Sequence, residues 1–554
     1  MKVLAINQVS GIITWQHDAA AALAIDGKLI ATAEEERFNR LRHAKGYPHQ
    51  AVEYCLKAGG ISLQDIDLIV VGYKPWSFLT RFSIQWSFRG ILSRLTTPFI
   101  FSSRLKELQK MSGAKVVYLD HHLCHAASAY RCSGFEEANV LTIDGAGETE
   151  SFAFYVGKKG KLKRVWDIPF AKFFDTNAWR SIGHVYTSLT SFLNLGVHGE
   201  GKTMGLASYG EPRFDFSTIL NIKNHKNYQI DRRNIRKFYA TYERKDSKSE
   251  LTQEHKDLAA SLQKALENSI VNLAREAYEK TGIRNFALAG GVALNCNTNS
   301  KLLEQDFCDG LFIQPASNDG GISLGAVLEG VSMVGDADHI EFTNAYWGPS
   351  FTNDEIEKVL KESKVEYKKS DNIEADTAEL VASGKIVGWF QGRMEIGPRA
   401  LGNRTILANP CIDDMADQVN INIKHREVWR PFAPSITVED VGKYFEGVEK
   451  VKESPFMLHT FYVKNQYRNI LPSITHVDGS SRIQTVSQKQ NPRYYKYLKE
   501  LEKRTGHPIT LNTSFNDAGE PIVCTPRDAV RCYFSTGFDA LAIGDFLLVK
   551  NLNV

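Results

Sequence analysis

The feature that most constrains the fold of this chain is a plan that occurs twice. VLAIN, starting at Val3, is followed by AAAALAIDGKLIATAEEER, in which two strand-like runs flank a turn at Asp26-Gly27. The apolar run of NVLTIDGAG starts at Val140 and is followed by SFAFYVGKKGKLKRVWDI, again a strand, a glycine-bearing turn and paired strands. Asp-Gly between two alternating apolar runs is a hairpin signal. The pattern predicts an α/β chain with a duplicated unit, each copy led by a β-hairpin. At 554 residues the chain exceeds the roughly 250 to 300 at which a single core stops growing, so two or three domains are expected.

With an acidic or polar turn after the first strand of each half, the duplication resembles the actin, sugar kinase and Hsp70 type of α/β fold, which binds nucleotide between its halves. Downstream, apolar residues at 258, 262, 265, 266, 270, 273 and 277 make one helical stripe, and Gly282 is placed to stop it. The strand FALAGGVALN follows. Gly290 and Gly291 precede Asn295 and the start of a further helix, where backbone amides can face an anionic group. In GVHGEGKTMGLASYG, Lys202 sits among Gly199, Gly201 and Gly205, as suits phosphate or adenylate contact. For the Gly290-Gly291 pair taken alone, a plain tight turn is the alternative; the Lys202 stretch favours the functional reading.

His121 and His125 stand one turn apart in HHLCHAASAY, and i and i+4 share a helix face, so both imidazoles can converge on one cation. Asp144 at the end of the next strand and Asp319 in SNDGGISLGA would complete a mixed nitrogen and oxygen set suited to Fe(II), Mn(II) or Zn(II). The alternative is that His121 caps the helix after Asp120 while His125 packs in a core.

Charge excludes more than it identifies. A net charge of +3 is too small to argue for a nucleic-acid partner, so basic chemistry must be local. Eight cysteines without a C-x-x-C pair fit reduced thiols in cytoplasm. MKVLAINQVSG reads as a strand and turn, not a secretory signal. Phe82 to Phe101 is aromatic but interrupted by Gln85, Arg89 and Arg94, short of the ~20 apolar residues of a membrane span. KNHKNYQIDRRNIRKFYATYERKDSKSE is charge-rich and poor in periodicity, and is expected to be a solvated excursion. NAYWGPSFTNDEIEKVLKE, with Gly348-Pro349 and a cap at Thr352 or Asn353, reads as a linker entering a helix, which places domains at 1–346 and 347–554.

The second domain collects arginines in glycine-rich turns: Arg393, Arg399 and Arg404 in GRMEIGPRALGNRTILANP, then Lys424, Arg426 and Arg430 in INIKHREVWRPFAPS, and Arg482 in DGSSRIQTV. PITLNTSFNDAGEPIV adds Asn512, Ser514 and Asn516. Guanidinium forks suit phosphate and carboxylate oxygens, and the apolar flanks Trp389-Phe390 and Pro431-Phe432 would wall an anion pocket. Surface pairing with Glu395 and Glu427 is the alternative for any single arginine.

These strings, together with HDAAAALAIDG, EEERFNR, HHLCHAASAY, GEGKTMGLA and GGVALN, resemble in the same order the defining strings of the NodU/CmcH family of O-carbamoyltransferases. The resemblance implies an N-terminal domain similar to the universal tRNA threonylcarbamoyladenosine transferase, with an iron site, and a YrdC-like C-terminal domain. The C-terminal domain would make carbamoyl adenylate from carbamoyl phosphate and ATP, the latter with Mg. The N-terminal domain would pass the carbamoyl group to a hydroxyl of a sugar, antibiotic or glycan precursor. Carried over, the metal ligands are His121, His125, Asp144 and Asp319, and the anion contacts are Arg399, Arg404, Lys424, Arg426, Arg430 and Arg482. His17, in HDAAAAL after the first strand, is the candidate base for the acceptor hydroxyl, because an imidazole titrates near neutrality; a turn histidine bonding only to backbone is the alternative.

Two other functions remain open at this point: a tRNA threonylcarbamoyl transferase, disfavoured by the absence of a basic stripe, and a nucleotide-binding scaffold without chemistry. Acceptor choice is expected in a variable aromatic and basic segment, Trp76 to Phe101.

Overall fold

The run after Met1 forms β1 (Lys2–Ile6), buried from Val3 onward, and it pairs antiparallel with β2 (Ala20–Ile25). β2 turns through Asp26 (φ 48°) and Gly27 (φ 76°) into β3 (Lys28–Glu34). Two successive left-handed residues are what a two-residue hairpin turn requires. β4 (Leu68–Val71) and β5 (Lys115–Tyr118) then add in parallel, giving the order β3-β2-β1-β4-β5.

The second copy repeats this. β6 (Glu137–Ile143), β7 (Glu150–Lys158) and β8 (Lys161–Pro169) form the antiparallel hairpins, with Lys159 (φ 50°) and Gly160 (φ 70°) at the turn. After a small hairpin, β9 (Leu220–Ile222) with β10 (Tyr228–Ile230), β11 (Asn285–Ala289) and β12 (Gly310–Ile313) extend the second sheet as β12-β11-β6-β7-β8. Two sheets of the same order, each with helices beside it, are the duplicated core of the actin and sugar kinase fold. The structure is a computed structural model and describes residues 1–8, 17–74, 106, 109–170, 180–335, 342–451 and 453–550. The chain divides into two units, residues 1–39 with 43–342, and residues 40–42 with 343–554. The segment Trp76 to Phe101, read above as an acceptor-selecting region, lies outside the described residues.

Three helices of the first unit matter for function. His121–Tyr130 follows β5 and is capped by Asp120, whose side chain accepts the N–H of Leu123 at 3.1 Å. It packs against Ile322–Met333. The closeness of that pair depends on Gly325, where a Cβ would stand 1.8 Å from the carbonyl oxygen of Cys124. Gln253–Thr281 is the long helix expected from the apolar stripe, and it ends at Gly282 in the left-handed conformation (φ 71°).

The charge-rich stretch after Lys223 is not a solvated excursion. It forms β10 and the helix Arg232–Ala240, anchored by buried Tyr228, Ile235 and Tyr239. The i, i+4 pair Ile235 and Tyr239 is hidden among charges, so the local average looks featureless although the helix has an apolar face.

In the second unit an eight-stranded sheet runs β13 (Lys368–Lys369), β23 (Phe546–Val549), β22 (Ala540–Ile543), β14 (Val387–Phe390), β15 (Arg404–Ala408), β21 (Ile509–Ser514), β16 (Ala433–Thr437) and β20 (Gln484–Val486). β17 (Phe445–Glu446), β18 (Thr460–Val463) and β19 (Ser480–Arg482) form a small second sheet. Side chains alternate between two cores, as the two-residue strand period demands. Phe390, Ile406, Ala408, Leu541 and Ile543 join one. Val387, Trp389, Leu407, Ala540 and Ala542 join the other, against Tyr494, Tyr497, Leu498 and Leu501 of the helix Pro492–Thr505. The helix Asn353–Glu362 starts at Thr352, which forms a capping box with Glu355. None of the eight cysteines is in a disulfide, and among the described residues no helix is long and apolar enough to cross a membrane.

Candidate functional site

The N-terminal ends of the helices His121–Tyr130 and Ile322–Met333, brought together at Gly325, place four of the expected residues around one point. His121 Nε2 lies 3.0 Å from Asp144 Oδ2 and 3.8 Å from Asp319 Oδ1; His125 Nε2 lies 3.6 Å and 3.9 Å from the same two oxygens. All four ligand atoms fall within 4.8 Å of one another. Ligands bound at about 2.1 Å to one ion are separated by about 3.0 to 3.4 Å when adjacent, so these spacings suit co-ligation. Most of them are too long for hydrogen bonds.

Two neighbours show that the arrangement is specific. His122, on the same helix, bonds on both nitrogens, to Thr142 Oγ1 at 2.7 Å and to the carbonyl oxygen of Glu150 at 3.1 Å. Burial and the flanking histidines hold it neutral, its pKa down at about 4. His125 is fully buried, and neither of its nitrogens has a hydrogen-bond partner. A buried imidazole without partners costs free energy unless something else occupies it, and a cation among His121, Asp144 and Asp319 would do so. The donor set of two imidazoles and two carboxylates therefore fits a divalent transition metal such as Fe(II), Mn(II) or Zn(II).

Electrostatics agree. Asp144 and Asp319 are enclosed together with Glu148, which accepts the backbone N–H of His121 at 3.0 Å and that of Lys74 at 2.8 Å. Burial and the charge of Asp120 push Glu148 up to about 7. Burial opposes charge on His121, but its hydrogen bond to Asp144 and the charge of Asp319 overcome this and raise it to about 10. Asp144 is held well below the usual range by the two imidazoles, against its burial, whereas burial raises Asp319. Clustered carboxylates of this kind invite a cation.

His17 lies beside this group. Its Nδ1 is 2.9 Å from Asp18 Oδ2. Burial lowers its pKa, but its hydrogen bond to the Asp18 carboxylate and the charge of Asp319 dominate and carry it to about 9. Two residues not singled out from sequence complete its surroundings. The His43 ring lies 5.8 Å from that of His17 and stacks at 3.8 Å on His198, whose ring is 5.0 Å from His17. Asp18, His43 and His198 all have left-handed backbone (φ 58°, 55° and 56°). Non-glycine residues in this region mark strain that surrounding contacts must hold.

Several residues read as nucleotide contacts have other partners. Gly290 (φ 92°) is required because a Cβ there would stand 2.3 Å from the carbonyl oxygen of Ile143. The N–H of Gly291 faces an anionic group, as the turn predicted, but that group is Asp144, whose Oδ1 accepts it at 3.1 Å. Asn295 caps the helix Cys296–Leu303 by accepting the N–H of Thr298 at 3.0 Å, and its amide pairs with Gln263. Lys202 falls in the first turn of the helix Glu200–Ala207.

In the second unit, Lys424 is nearly buried, and its Nζ donates to Ser514 (carbonyl oxygen 2.8 Å, Oγ 3.1 Å) and Asn516 (carbonyl oxygen 3.0 Å, Oδ1 2.8 Å). Burial and Arg426 lower its pKa well below the ordinary lysine value. Burial likewise lowers Arg426, together with the charges of Arg430, Arg482 and Arg399, with Glu427 as the acidic counterweight. Arg426 lies over the Phe432 ring at 4.6 Å, and Arg482 Nε is buried without a partner. A group of guanidinium ions this close repels itself and is stabilised by an anion.

Arg404 does not belong to that group. It is the first residue of β15 and fully buried, donates to the carbonyl oxygens of Gln391 (2.5 Å), Gly392 (3.3 Å), Asn403 (3.0 Å) and Pro349 (3.1 Å), and stacks on Phe390 at 3.7 Å. Asn512 is also internal, donating to Ala400, Ser435 and Gln484. Glu395, read as a possible arginine partner, instead accepts the backbone N–H groups of Leu401, Asn403 and Arg404 and so shapes the glycine-rich turn. Trp389 and Phe390 are core residues.

Comparison with known proteins covers nearly the whole chain. The family described as "Carbamoyltransferase N-terminus" matches residues 8–86 and 87–328, and "Carbamoyltransferase C-terminus" matches 378–550. The chain is 38% identical over 551 residues to nodulation protein NolNO of Sinorhizobium fredii, covering 97% of this chain and 79% of that one. It is 27% identical to the 3'-hydroxymethylcephem-O-carbamoyltransferase of Amycolatopsis lactamdurans, covering 96% of this chain and 97% of that one. Nodulation protein U of Sinorhizobium fredii is also 27% identical, with 93% and 94% covered.

Proposed function

This chain belongs to the carbamoyltransferase family, and on that premise we propose that it is an ATP-dependent O-carbamoyltransferase working in two steps. In the first, residues 347–554, a YrdC-like domain, join carbamoyl phosphate and ATP. Water releases phosphate from carbamoyl phosphate and leaves carbamate, a carbamate oxygen attacks the α-phosphorus of ATP, pyrophosphate leaves, and carbamoyl adenylate forms. In the second, residues 1–346 pass the carbamoyl group to a hydroxyl of a small-molecule or sugar acceptor and release AMP. The hydroxymethyl acceptor named for the cephem enzyme supports a small-molecule alcohol.

The observation that carries the reading is the convergence of His121, His125, Asp144 and Asp319, with His125 buried and without a hydrogen-bond partner. These four would hold Fe(II), or Mn(II) or Zn(II). Such a cation supplies Lewis-acid stabilisation of negative charge on phosphate oxygens. In the other domain Arg399, Arg426, Arg430 and Arg482 would hold the phosphate groups and stabilise the charge that develops as phosphate leaves, with Lys424 fixing the Ser514 and Asn516 turn beside them. Mg would accompany ATP. His17, once deprotonated, is the base for the acceptor hydroxyl. A water-labile mixed anhydride favours enclosed sites.

Incubation with carbamoyl phosphate and labelled ATP, without acceptor, tests this. Pyrophosphate release that depends on carbamoyl phosphate supports the reading. Dependence on threonine and bicarbonate instead would assign the chain to tRNA threonylcarbamoylation, and no turnover with any donor would leave a nucleotide-binding scaffold. The mass of the product formed with candidate alcohols then identifies the acceptor.

A further inference from the structure

His17, Asp18 and His43 bring two imidazoles and a carboxylate together, and their spacing differs in kind from that of the four residues above. His17 Nδ1 is 2.9 Å from Asp18 Oδ2, and His43 Nδ1 is 2.7 Å from Asp18 Oδ1. These are hydrogen-bond lengths, each to a different oxygen. The oxygen that meets His17 also accepts the side-chain N–H of Asn318 at 2.8 Å. Asp18 is nearly buried and held in left-handed backbone, φ 58°. Its carbonyl oxygen accepts Asn7 Nδ2 at 2.7 Å, and the same amide nitrogen donates to the carbonyl oxygen of Asp319 at 2.8 Å. Asn7, immediately after β1, therefore ties Asp18 to the segment that presents Asp319, while Asn318 ties the carboxylate itself to that segment.

We propose that Asp18 is a positioning residue for acceptor activation: by accepting an N–H from His17 Nδ1 on one oxygen and from His43 Nδ1 on the other, it fixes both rings and leaves Nε2 of His17 as the proton acceptor. A carboxylate bonded to one imidazole nitrogen sets which nitrogen carries the proton and how the ring is aimed. The inference rests on the two-step reading above. In the transfer step the acceptor O–H proton passes to Nε2 of neutral His17 as the acceptor oxygen bonds to the carbamoyl carbon. The bond from that carbon to the phosphate oxygen of AMP breaks, its electron pair leaves with AMP, and the Nε2 proton is returned to solvent. The charged and titratable groups around His17 are Asp18, Asp144 and Asp319, with the rings of His43 and His198 against it.

Asp18→Asn is the suitable variant, because asparagine tolerates left-handed backbone where most residues do not. In histidine-labelled full-length protein, two downfield imidazole N–H protons, assigned with His17→Gln and His43→Gln, should be present and should be lost in Asp18→Asn. With ATP, carbamoyl phosphate and water as the acceptor, Asp18→Asn should slow AMP formation about 100-fold at unchanged KM for both substrates. Retention of both N–H protons in Asp18→Asn, or AMP formation within twofold of wild type, would overturn the proposal. So would a second equivalent of bound Zn(II) or Mn(II) that disappears in Asp18→Asn, since the cluster would then be a metal site. If wild-type protein shows no pyrophosphate release dependent on carbamoyl phosphate, the two-step reading fails, and the N–H protons still decide whether Asp18 clamps both rings.

Discussion

Gly291 donates its backbone N–H to Oδ1 of Asp144 at 3.1 Å. Together with the N–H of Gly145 at 2.7 Å, this occupies one carboxylate oxygen and leaves the other, Oδ2, turned toward His121 and His125. A turn that reads in the sequence as a phosphate cradle thus aims a carboxylate of the proposed metal site.

Gly291→Ala should weaken metal binding without unfolding the protein. The new Cβ would stand 3.1 Å from Asp144 Oδ1, close enough to displace the carboxylate by a few tenths of an ångström and to disturb its supporting hydrogen bond. Loss of such support lowers metal affinity by about 10- to 100-fold. Titration of the protein with Zn(II) or Mn(II) measures it. Gly290→Ala, facing a backbone oxygen at 2.3 Å from left-handed geometry, should instead abolish soluble protein.

His125→Ala should lose the metal and still form the adenylate, because the proposed function assigns His125 to the transfer site alone. Metal content after dialysis and pyrophosphate release without acceptor measure the two properties separately. Loss of both would reject the division of labour.

Arg399→Ala and Arg404→Ala should fail in different ways. Arg399 is one of the arginines whose charge acts on Arg426, and its removal should abolish pyrophosphate release with metal content intact. Arg404 holds four carbonyl groups and lies on Phe390, so its truncation should destabilise the protein by about 3 to 5 kcal/mol, read as a lowered urea midpoint. Arg404→Ala with wild-type stability and weakened ATP binding would restore it to the anion pocket.

Acid should destabilise the protein in part through His459. Burial lowers this histidine from 6.5 to about 4. Its folded pKa is below its unfolded one, so between those values the unfolded chain binds the extra proton and stability falls as pH falls. The contribution is fully present above about 6.5 and is lost by about 4, amounting to about 3 kcal/mol. Urea denaturation at pH 7 and pH 5 should show the loss, and His459→Gln should reduce the difference between them. An unchanged difference in that variant would show that other groups carry it.

The elements most legible in the sequence were those with strong local signals. The Asp26-Gly27 hairpin, the long helix stopped by Gly282 and the Thr352 cap each depend on residues within a turn or two of one another. The helix Arg232–Ala240 is hard to read because its large apolar anchors, Ile235, Phe238 and Tyr239, stand in a run of charges. Arg404 and Asn512 read as site residues because they share short strings with Arg399 and with Ser514 and Asn516. Strand alternation and packing turned them inward, and no local pattern distinguishes an arginine that bonds carbonyls from one that awaits an anion.

By itself the sequence determined the duplicated plan, the helical spacing of His121 and His125, and the arginine-rich second half, because periodicity and turn chemistry act over a few residues. Only the tertiary structure decided that these histidines meet Asp319. That contact depends on the close approach at Gly325 of two helices far apart in the chain. It also decided that Asp18 joins His17 to His43, and that Gly291 serves Asp144. Each is a relationship between segments that approach only when buried apolar faces pack, and a linear pattern carries no record of which polar groups that packing leaves facing one another.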